Sequence, residues 1–120
     1  MLQELNFILL HVPDVEKAIP FYTEKLGLVI DDQMPGFVQF KQPQGTGAIL
    51  ALSQEGDGTP SDNIELWWLV DNPDATHAEL AGKGVQIAQP LEDQPFGRTF
   101  AIQDPFGNKL YMMKLAQHPQ

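Results

Sequence analysis

Two hydrophobic periods alternate along the chain. Residues 5–12, LNFILLHV, form a run of β-formers that stops at Pro13-Asp14, which predicts a strand. The next apolar positions, Val15, Ala18, Ile19, Tyr22 and Leu26, keep helical spacing. Asp14 stands where an N-cap belongs, Glu16 falls in the first turn, and Gly27 supplies a stop. Pro20 removes one backbone donor inside this helix, so a local kink is expected there rather than a break. Extended segments follow at 28–32, 36–41 and 47–53, separated by turns that contain Gly or Pro.

Residues 54–63, QEGDGTPSDN, hold no apolar side chain and read as a linker. The same order then returns. IELWWLV at 64–70 is a strand, and Asn72-Pro73 gives a cap followed by Pro at the first helical position. Ala75, Ala78, Leu80 and Ala81 mark a short helix closed by Gly82 and Gly84, and strands are expected at 85–89, 98–103 and 108–115. Val12-Pro13-Asp14 lies over Val70-Asp71-Asn72, and Lys25-Leu26-Gly27 over Gly82-Lys83-Gly84, an offset of about 57 to 58 positions. The chain therefore reads β-α-β-β-β twice, a repeat of element order rather than of letters. The expected organisation is one domain over 1–120, with module one at about 1–54, the linker at 54–63 and module two at about 64–115.

Composition then limits the partners. A hydrophobic share of 42% with a charged share of 19% belongs to the soluble globular class, and 120 residues suffice for one core. No apolar run approaches the roughly 18 to 20 residues a membrane span needs. The segment MLQELNFILLHV lacks a basic n-region and a small-residue cleavage site, so no secretory leader is expected. Without cysteine there is no disulfide framework, thiolate nucleophile or Cys-type zinc site. A cytoplasmic protein with no membrane partner is expected. Sixteen acids against seven bases give a net charge of −9, and Arg98 is the sole arginine. A duplex-binding surface needs clustered bases, so nucleic acid is not an expected partner. The acidic field either favours cationic ligands modestly or simply keeps the protein soluble.

Two stretches carry a resemblance. VPDVEKAIPFYTEKLGL in the first half, and QPFG followed by GRTFAIQDPFGNKLYMM in the second, resemble the vicinal oxygen chelate superfamily. That superfamily includes glyoxalase I, bleomycin-resistance proteins, fosfomycin-resistance enzymes and extradiol dioxygenases. The resemblance runs from about Leu5 to Leu115. It implies an α+β fold of tandem βαβββ modules that form a curved mixed sheet around a concave pocket, closed either within one chain or across a homodimer.

The resemblance also implies where metal-dependent members keep their four ligands. Those positions fall on Phe7, Ala51, Glu65 and Tyr111. One carboxylate, a phenol, a phenyl and a methyl do not make the three or four N/O donors such sites use. A one-residue slip would flip each strand's faces. The neighbours, Asn6 and Ile8, Leu50 and Leu52, Ile64 and Leu66, Leu110 and Met112, restore no His/Glu set. No metal cofactor is expected.

The same register gives an inward face of Phe7, Leu9 and His11, of Ile49, Ala51 and Ser53, of Glu65, Trp67 and Leu69, and of Lys109, Tyr111 and Met113. Mostly apolar with a few polar groups, it has the make-up of a small-molecule site. The candidate ligand-binding residues are Phe7, Leu9, His11, Ile49, Ala51, Glu65, Trp67, Lys109, Tyr111 and Met113. Trp67 either stacks on a ligand or fills the cavity, whereas Trp68 belongs to the core. Glu65 pairs with Lys109, meets a cationic ligand, or has a raised pKa suited to proton transfer. His11 binds an anion, donates a hydrogen bond, or is structural. Arg98 either reaches the pocket mouth or pairs with Asp104 or another acid. The QPFG segment is a candidate lid, His77 is expected on the exposed face of helix two, and His118 in the C-terminal tail.

Three functions fit these expectations. The first is a metal-free small-molecule binding protein, with a cationic antibiotic among the candidate ligands. The second is a glyoxalase-type lyase or isomerase, or a dioxygenase. It would be metal-dependent through another register, or metal-free with Glu65, His11 or Tyr111 as catalytic acid–base groups. The third is a regulatory or structural dimer whose pocket is filled by its own side chains.

Overall fold

The structure, a computed structural model, describes residues 1–56, 59–60 and 63–116. Residues 57, 58, 61 and 62 of the expected linker lie outside the described residues, as does His118. The chain divides into two compact units, Met1–Thr59 and Pro60–Gln120.

In the first unit the order is β1 (Phe7–His11), α1 (Val15–Pro20), β2 (Ile30–Met34), β3 (Phe37–Phe40) and β4 (Ile49–Ser53). In the second it is β5 (Leu66–Leu69), α2 (Pro73–Gly82), β6 (Gln86–Gln94), β7 (Gly97–Gln103) and β8 (Lys109–Leu115). Each unit is thus a βαβββ module, and each makes one mixed four-stranded sheet. The strand orders are β1-β4-β3-β2 and β5-β8-β7-β6. The first strand of each unit lies parallel to the last, and the remaining pairs are antiparallel. The edge strands are therefore β1 and β2 in one sheet, β5 and β6 in the other.

The helix ends repeat as the sequence suggests. Asp14 accepts from the Lys17 N–H at 3.1 Å, and Asn72 from the Ala75 N–H at 3.0 Å, each satisfying a donor that the first turn leaves free. Gly27 and Gly84 leave the two helical segments at φ +78° and +79°, a region open to glycine at no steric cost. A further cap comes from outside the helix. Gln54, at the end of β4, accepts from the Val15 N–H at 2.7 Å and donates its own N–H to the Gly36 carbonyl at 3.0 Å. The first residue of the expected linker is thereby tied to its own unit.

Pro20 produces neither break nor simple kink. From Phe21 to Lys25 the helix continues in π geometry, with the Leu26 N–H reaching back five residues to the Phe21 carbonyl at 3.2 Å. Pro20 has no N–H to give, so the ladder loses a rung there and resumes in a wider register. The Thr23 hydroxyl donates to the Ile19 carbonyl at 2.8 Å, bridging the change. On the sheet side, Tyr22 stacks on Phe40 with centroids 5.8 Å apart, and Phe21 meets Tyr22 edge-on at 5.3 Å. Val12, Val15, Ala18, Val38 and Leu52 fill the remaining core of this unit, all fully buried. In the second unit Phe100, Ile102, Leu110 and Leu80 take that place.

β6 runs past the expected end at Gln89, through Pro90 to Gln94. Its pairing with β7 shifts register on both sides of Gln89, and an edge strand with bulges is where a sheet tolerates proline. Among the described residues no helix is long and apolar enough to cross a membrane.

Candidate functional site

Register decides which side chains share a face. In the first sheet Phe7, Leu9 and His11 lie beside Ile49, Ala51 and Ser53, with Gln39 beside Ala51 and Phe37 beside Ser53. In the second, Trp67 and Leu69 lie beside Tyr111 and Met113, with Ala101 beside Tyr111 and Thr99 beside Met113. Both sets look away from the helix of their own unit. Leu50, Leu52, Phe100 and Ile102 occupy the opposite faces and are buried.

These two faces are not closed cores. Phe7 and Leu9 are each 41% exposed, Trp67 38% and Leu69 71%, while Ala51 and Tyr111 behind them are buried. The exposed apolar residues sit on the edge strands β1 and β5. Trp68, turned the other way, is half-buried rather than a full core residue.

Trp67 is the best defined of the candidates. Its indole stacks on the Tyr111 ring, with centroids 4.7 Å apart and planes inclined by 23°. Phe96 meets the same indole edge-on at 5.9 Å and 78°. The indole Nε1–H donates to Glu65 Oε1 at 3.0 Å. Glu65 lies one residue before β5 begins, is exposed, and makes no ion pair with Lys109, so the first of its three expected roles is not the one it takes. Lys109 is exposed at the start of β8.

His11 ends β1 beside Ser53, which is 3% exposed and whose hydroxyl accepts from the Glu55 N–H at 3.1 Å. The chain then turns back over His11. A methyl on Gly56 would meet the imidazole Cγ at 2.8 Å. The bare Cα of Gly56 leaves the ring its place.

Several side chains go elsewhere than expected. Arg98 does not reach this face; of its two expected outcomes it takes the pairing with acids, and the acids are not Asp104 but Asp74 and Asp93. It lies on the helix side of β7 and forks around Asp74, Nε to Oδ2 at 2.9 Å and Nη2 to Oδ1 at 3.0 Å, while Nη1 reaches Asp93 at 3.0 Å. The Arg98 hydrogen bonds hold the Asp74 carboxyl below its usual range, and those of Asp74 and Asp93 raise the guanidinium further. An open groove of about 580 Å³ runs past Asp71, Asp74, Asp93, Arg98 and Lys114, and this ion-pair network occupies its wall. It is separate from the aromatic face.

His77 is half-buried and packs edge-on against Phe100 at 5.3 Å, rather than lying on an exposed helix face. QPFG is no free lid. Gln94 pairs with Gly97, so Pro95-Phe96 is a two-residue hairpin turn, and the Phe96 carbonyl accepts from the Ala116 N–H at 2.8 Å. Phe96 is the contributor that sequence reasoning passed over. Its signal was an aromatic in a turn, a polar position by rule. Thr99 and Ala101 of β7, and Phe37 and Gln39 of β3, share the two faces by the same period of two.

The four metal-ligand positions that the resemblance implies can be tested on donor chemistry. Phe7 and Ala51 present only carbon. Glu65 spends one oxygen on the Trp67 indole, and the Tyr111 ring lies under that indole. These residues do not fit a divalent ion, and no group of three or more His, Cys, Asp or Glu able to hold one occurs among the described residues.

Tandem βαβββ units with open apolar sheet faces define a small α+β protein in which one module order occurs twice. The chain matches the Glyoxalase/Bleomycin resistance protein/Dioxygenase superfamily over residues 4–112, and it belongs to that family. Among solved structures it is similar to TnmS3, an antibiotic binding protein from Streptomyces sp. CB03234. They share 27% identity over 96% of this chain and 98% of that one, with a TM-score of 0.82. A glyoxalase/bleomycin resistance protein from the same Streptomyces is 30% identical over 91% and 99% of the two chains, at 0.72. The bleomycin-binding protein of Streptomyces verticillus, solved with copper(II)-bleomycin, is 26% identical over 98% and 100%, at 0.73. Among curated proteins no relative matches the chain.

Proposed function

We propose that the chain is a small-molecule binding protein of the bleomycin-resistance kind that holds its ligand without a metal ion. One observation carries the reading: the four positions at which the resemblance implies metal ligands hold Phe7, Ala51, Glu65 and Tyr111. A phenol with an unperturbed pKa near 10 is a poor metal ligand and a good stacking surface. The proposed contacts belong to the open face of each unit taken by itself, Phe7, Leu9, His11, Ile49 and Ala51 in the first and Glu65, Trp67, Lys109, Tyr111 and Met113 in the second. Support also comes from two relatives described as antibiotic-binding and bleomycin-binding. The reading includes action in the cytoplasm and a homodimer, the latter supported by exposed Phe7, Leu9 and Leu69, side chains that an interface would cover.

The test is metal content after purification without chelator, with thermal shifts against nickel, zinc, manganese and iron. No stoichiometric metal and no metal-dependent shift are expected. A stoichiometric metal would overturn the reading in favour of a lyase, isomerase or dioxygenase. Light scattering at micromolar concentration checks the dimer.

A further inference from the structure

We propose that the Arg98 clamp on the helix side of the second sheet sets the Phe96–Trp67 contact on its open side. Arg98 and Asp74 are then positioning residues for the open face, held in shape from behind. The consequence for a ligand rests on the binding-protein reading; the coupling across the sheet does not.

The β6–β7 hairpin is the link. Phe96 stands at its tip, in the two-residue turn, and its ring meets the Trp67 indole edge-on at 5.9 Å. Behind the tip lie three rungs, Gln94 with Gly97, Asp93 with Arg98 and Glu92 with Thr99, and then the register shift between Glu92 and Gln89. Pro90 falls within that shift and has no N–H to give the ladder. A bulged strand bends at its irregularity, and β6 is an edge with no outer neighbour. The three rungs and the turn therefore form an arm that can tilt on the rest of the sheet. On the β7 side the arm is tied to β8, through Gly97 beside Leu115 and the Ala116 N–H on the Phe96 carbonyl. Bonds along one strand make an axis, and tilt about that axis is left to side chains.

Arg98 is placed to set the tilt. Alternation along β7 turns Thr99 to the open side and Arg98 to the helix side, on the middle rung of the arm. Its Nη1 reaches Asp93 across that rung at 3.0 Å, and Nε and Nη2 fork around Asp74, in the first turn of α2, at 2.9 and 3.0 Å. One planar guanidinium thus joins β6, β7 and α2. The paired bonds to Asp74 fix direction as well as distance, which a lysine ammonium would not. The helix is anchored separately, by buried Leu80 and by His77 on Phe100, so it serves as the fixed wall. An exposed ion pair adds little to global stability, so what this one supplies is geometry.

NMR of the ligand-free full chain tests this. Arg98→Met keeps an aliphatic stem and removes the fork. The Phe96–Trp67 ring cross-peaks should be lost and the Trp67 indole N–H signal displaced. The signal of Trp68, half-buried on the other side of β5, should stay in place, and the urea midpoint should change little. Asp74→Asn, which frees the arm from the helix, should act alike, and Asp93→Asn, which leaves that tie intact, should act less. Arg98→Lys should fall between wild type and Arg98→Met. High salt, which screens exposed charges, should move wild-type Trp67 toward its position in Arg98→Met and leave that variant unmoved. Lys114→Met, which removes the base across from Arg98 on β8, should change nothing at Trp67. Trp67 signals in Arg98→Met identical to wild type would overturn the clamp. So would equal displacement of Trp67 and Trp68 with a lowered urea midpoint, the mark of general loosening. No ligand enters these readouts, so they stand apart from failure of the binding-protein reading, which would show as stoichiometric metal in the purified protein.

Discussion

Asp104 and Asn108 hold each other across the β7–β8 turn by three hydrogen bonds. The Asn108 N–H donates to Asp104 Oδ1 at 2.8 Å, the Asn108 Nδ2 to Oδ2 at 2.8 Å, and the Asp104 N–H to the Asn108 carbonyl at 2.9 Å. The Phe106 N–H also donates to Oδ1, at 2.9 Å. Both residues are buried, at 4% and 7% exposure, so these donors have no water to turn to. Asp104→Asn replaces one acceptor oxygen with a donor facing donors. It should cost about 2 to 3 kcal/mol, read as a lower urea midpoint with an unchanged slope. An unchanged midpoint would show that the turn is held by something else.

Gly97 and Gly82 should respond in opposite directions to the same methyl. A Cβ on Gly97 would overlap the Lys114 carbonyl oxygen and lie 3.0 Å from Leu115 Cα, all backbone of the neighbouring strand. No rotamer relieves that, so Gly97→Ala should destabilise by about 1 to 3 kcal/mol or more. Gly82 ends α2 with nothing within 4 Å of its would-be Cβ. Gly82→Ala should stabilise by about 0.5 to 1 kcal/mol through the unfolded chain. Chemical denaturation of the two variants side by side decides it.

Gly56→Ala should move a residue rather than unfold the protein. Its methyl would meet His11 at Cγ (2.8 Å) and Cβ (3.0 Å), the root of the side chain, so the imidazole has to give way. The expected readout is a displaced His11 ring signal in NMR with His77, packed on Phe100, unchanged. The stability cost should be about 1 kcal/mol. A His11 signal identical to wild type would mean that the 53–56 turn moves instead.

Acid should weaken one specific pair. Asp74 is depressed below its ordinary value of 3.8 by the Arg98 hydrogen bonds. A carboxyl whose folded pKa is lowered contributes stability above the unfolded value, and that contribution is lost as pH falls through the folded one. Asp74→Asn should therefore lower Tm slightly at pH 7, and the gap to wild type should close as pH drops below about 3.8. The gap is small because the pair is exposed and screened by solvent. A gap that widened toward low pH would contradict the assignment.

Both modules were legible because their signals are local. The period of two in FILLH and LWWL, the caps at Asp14 and Asn72, and the glycines at 27 and 84 each act within a few residues. The same period put Trp67 and Tyr111 on one face, since parity survives errors of strand length. What escaped depends on distant partners. Arg98 chose Asp74, 24 residues away, and no spacing rule anticipates a pair between a strand and the helix packed on it. Glu65 lies one residue before β5, and its carboxylate bonds to the indole two residues on instead of to Lys109. The tight turn at Pro95-Phe96 follows from the length of β6. That length was hidden by Pro90, which reads as a stop and is here an edge-strand irregularity. The π geometry after Pro20 reflects a choice between bonds to the fourth and fifth preceding carbonyls, which composition does not encode.

The strand orders leave each sheet with two unlike edges. β2 carries Asp31 and Asp32, and β6 carries Pro90, Glu92 and Asp93, features that discourage a foreign strand from adding on. β1 and β5 carry no Asp, Glu, Lys, Arg or Pro, so within each unit the edge beside the open apolar face is the one without these guards, and it is the edge at which an added strand would meet no charge and no missing donor.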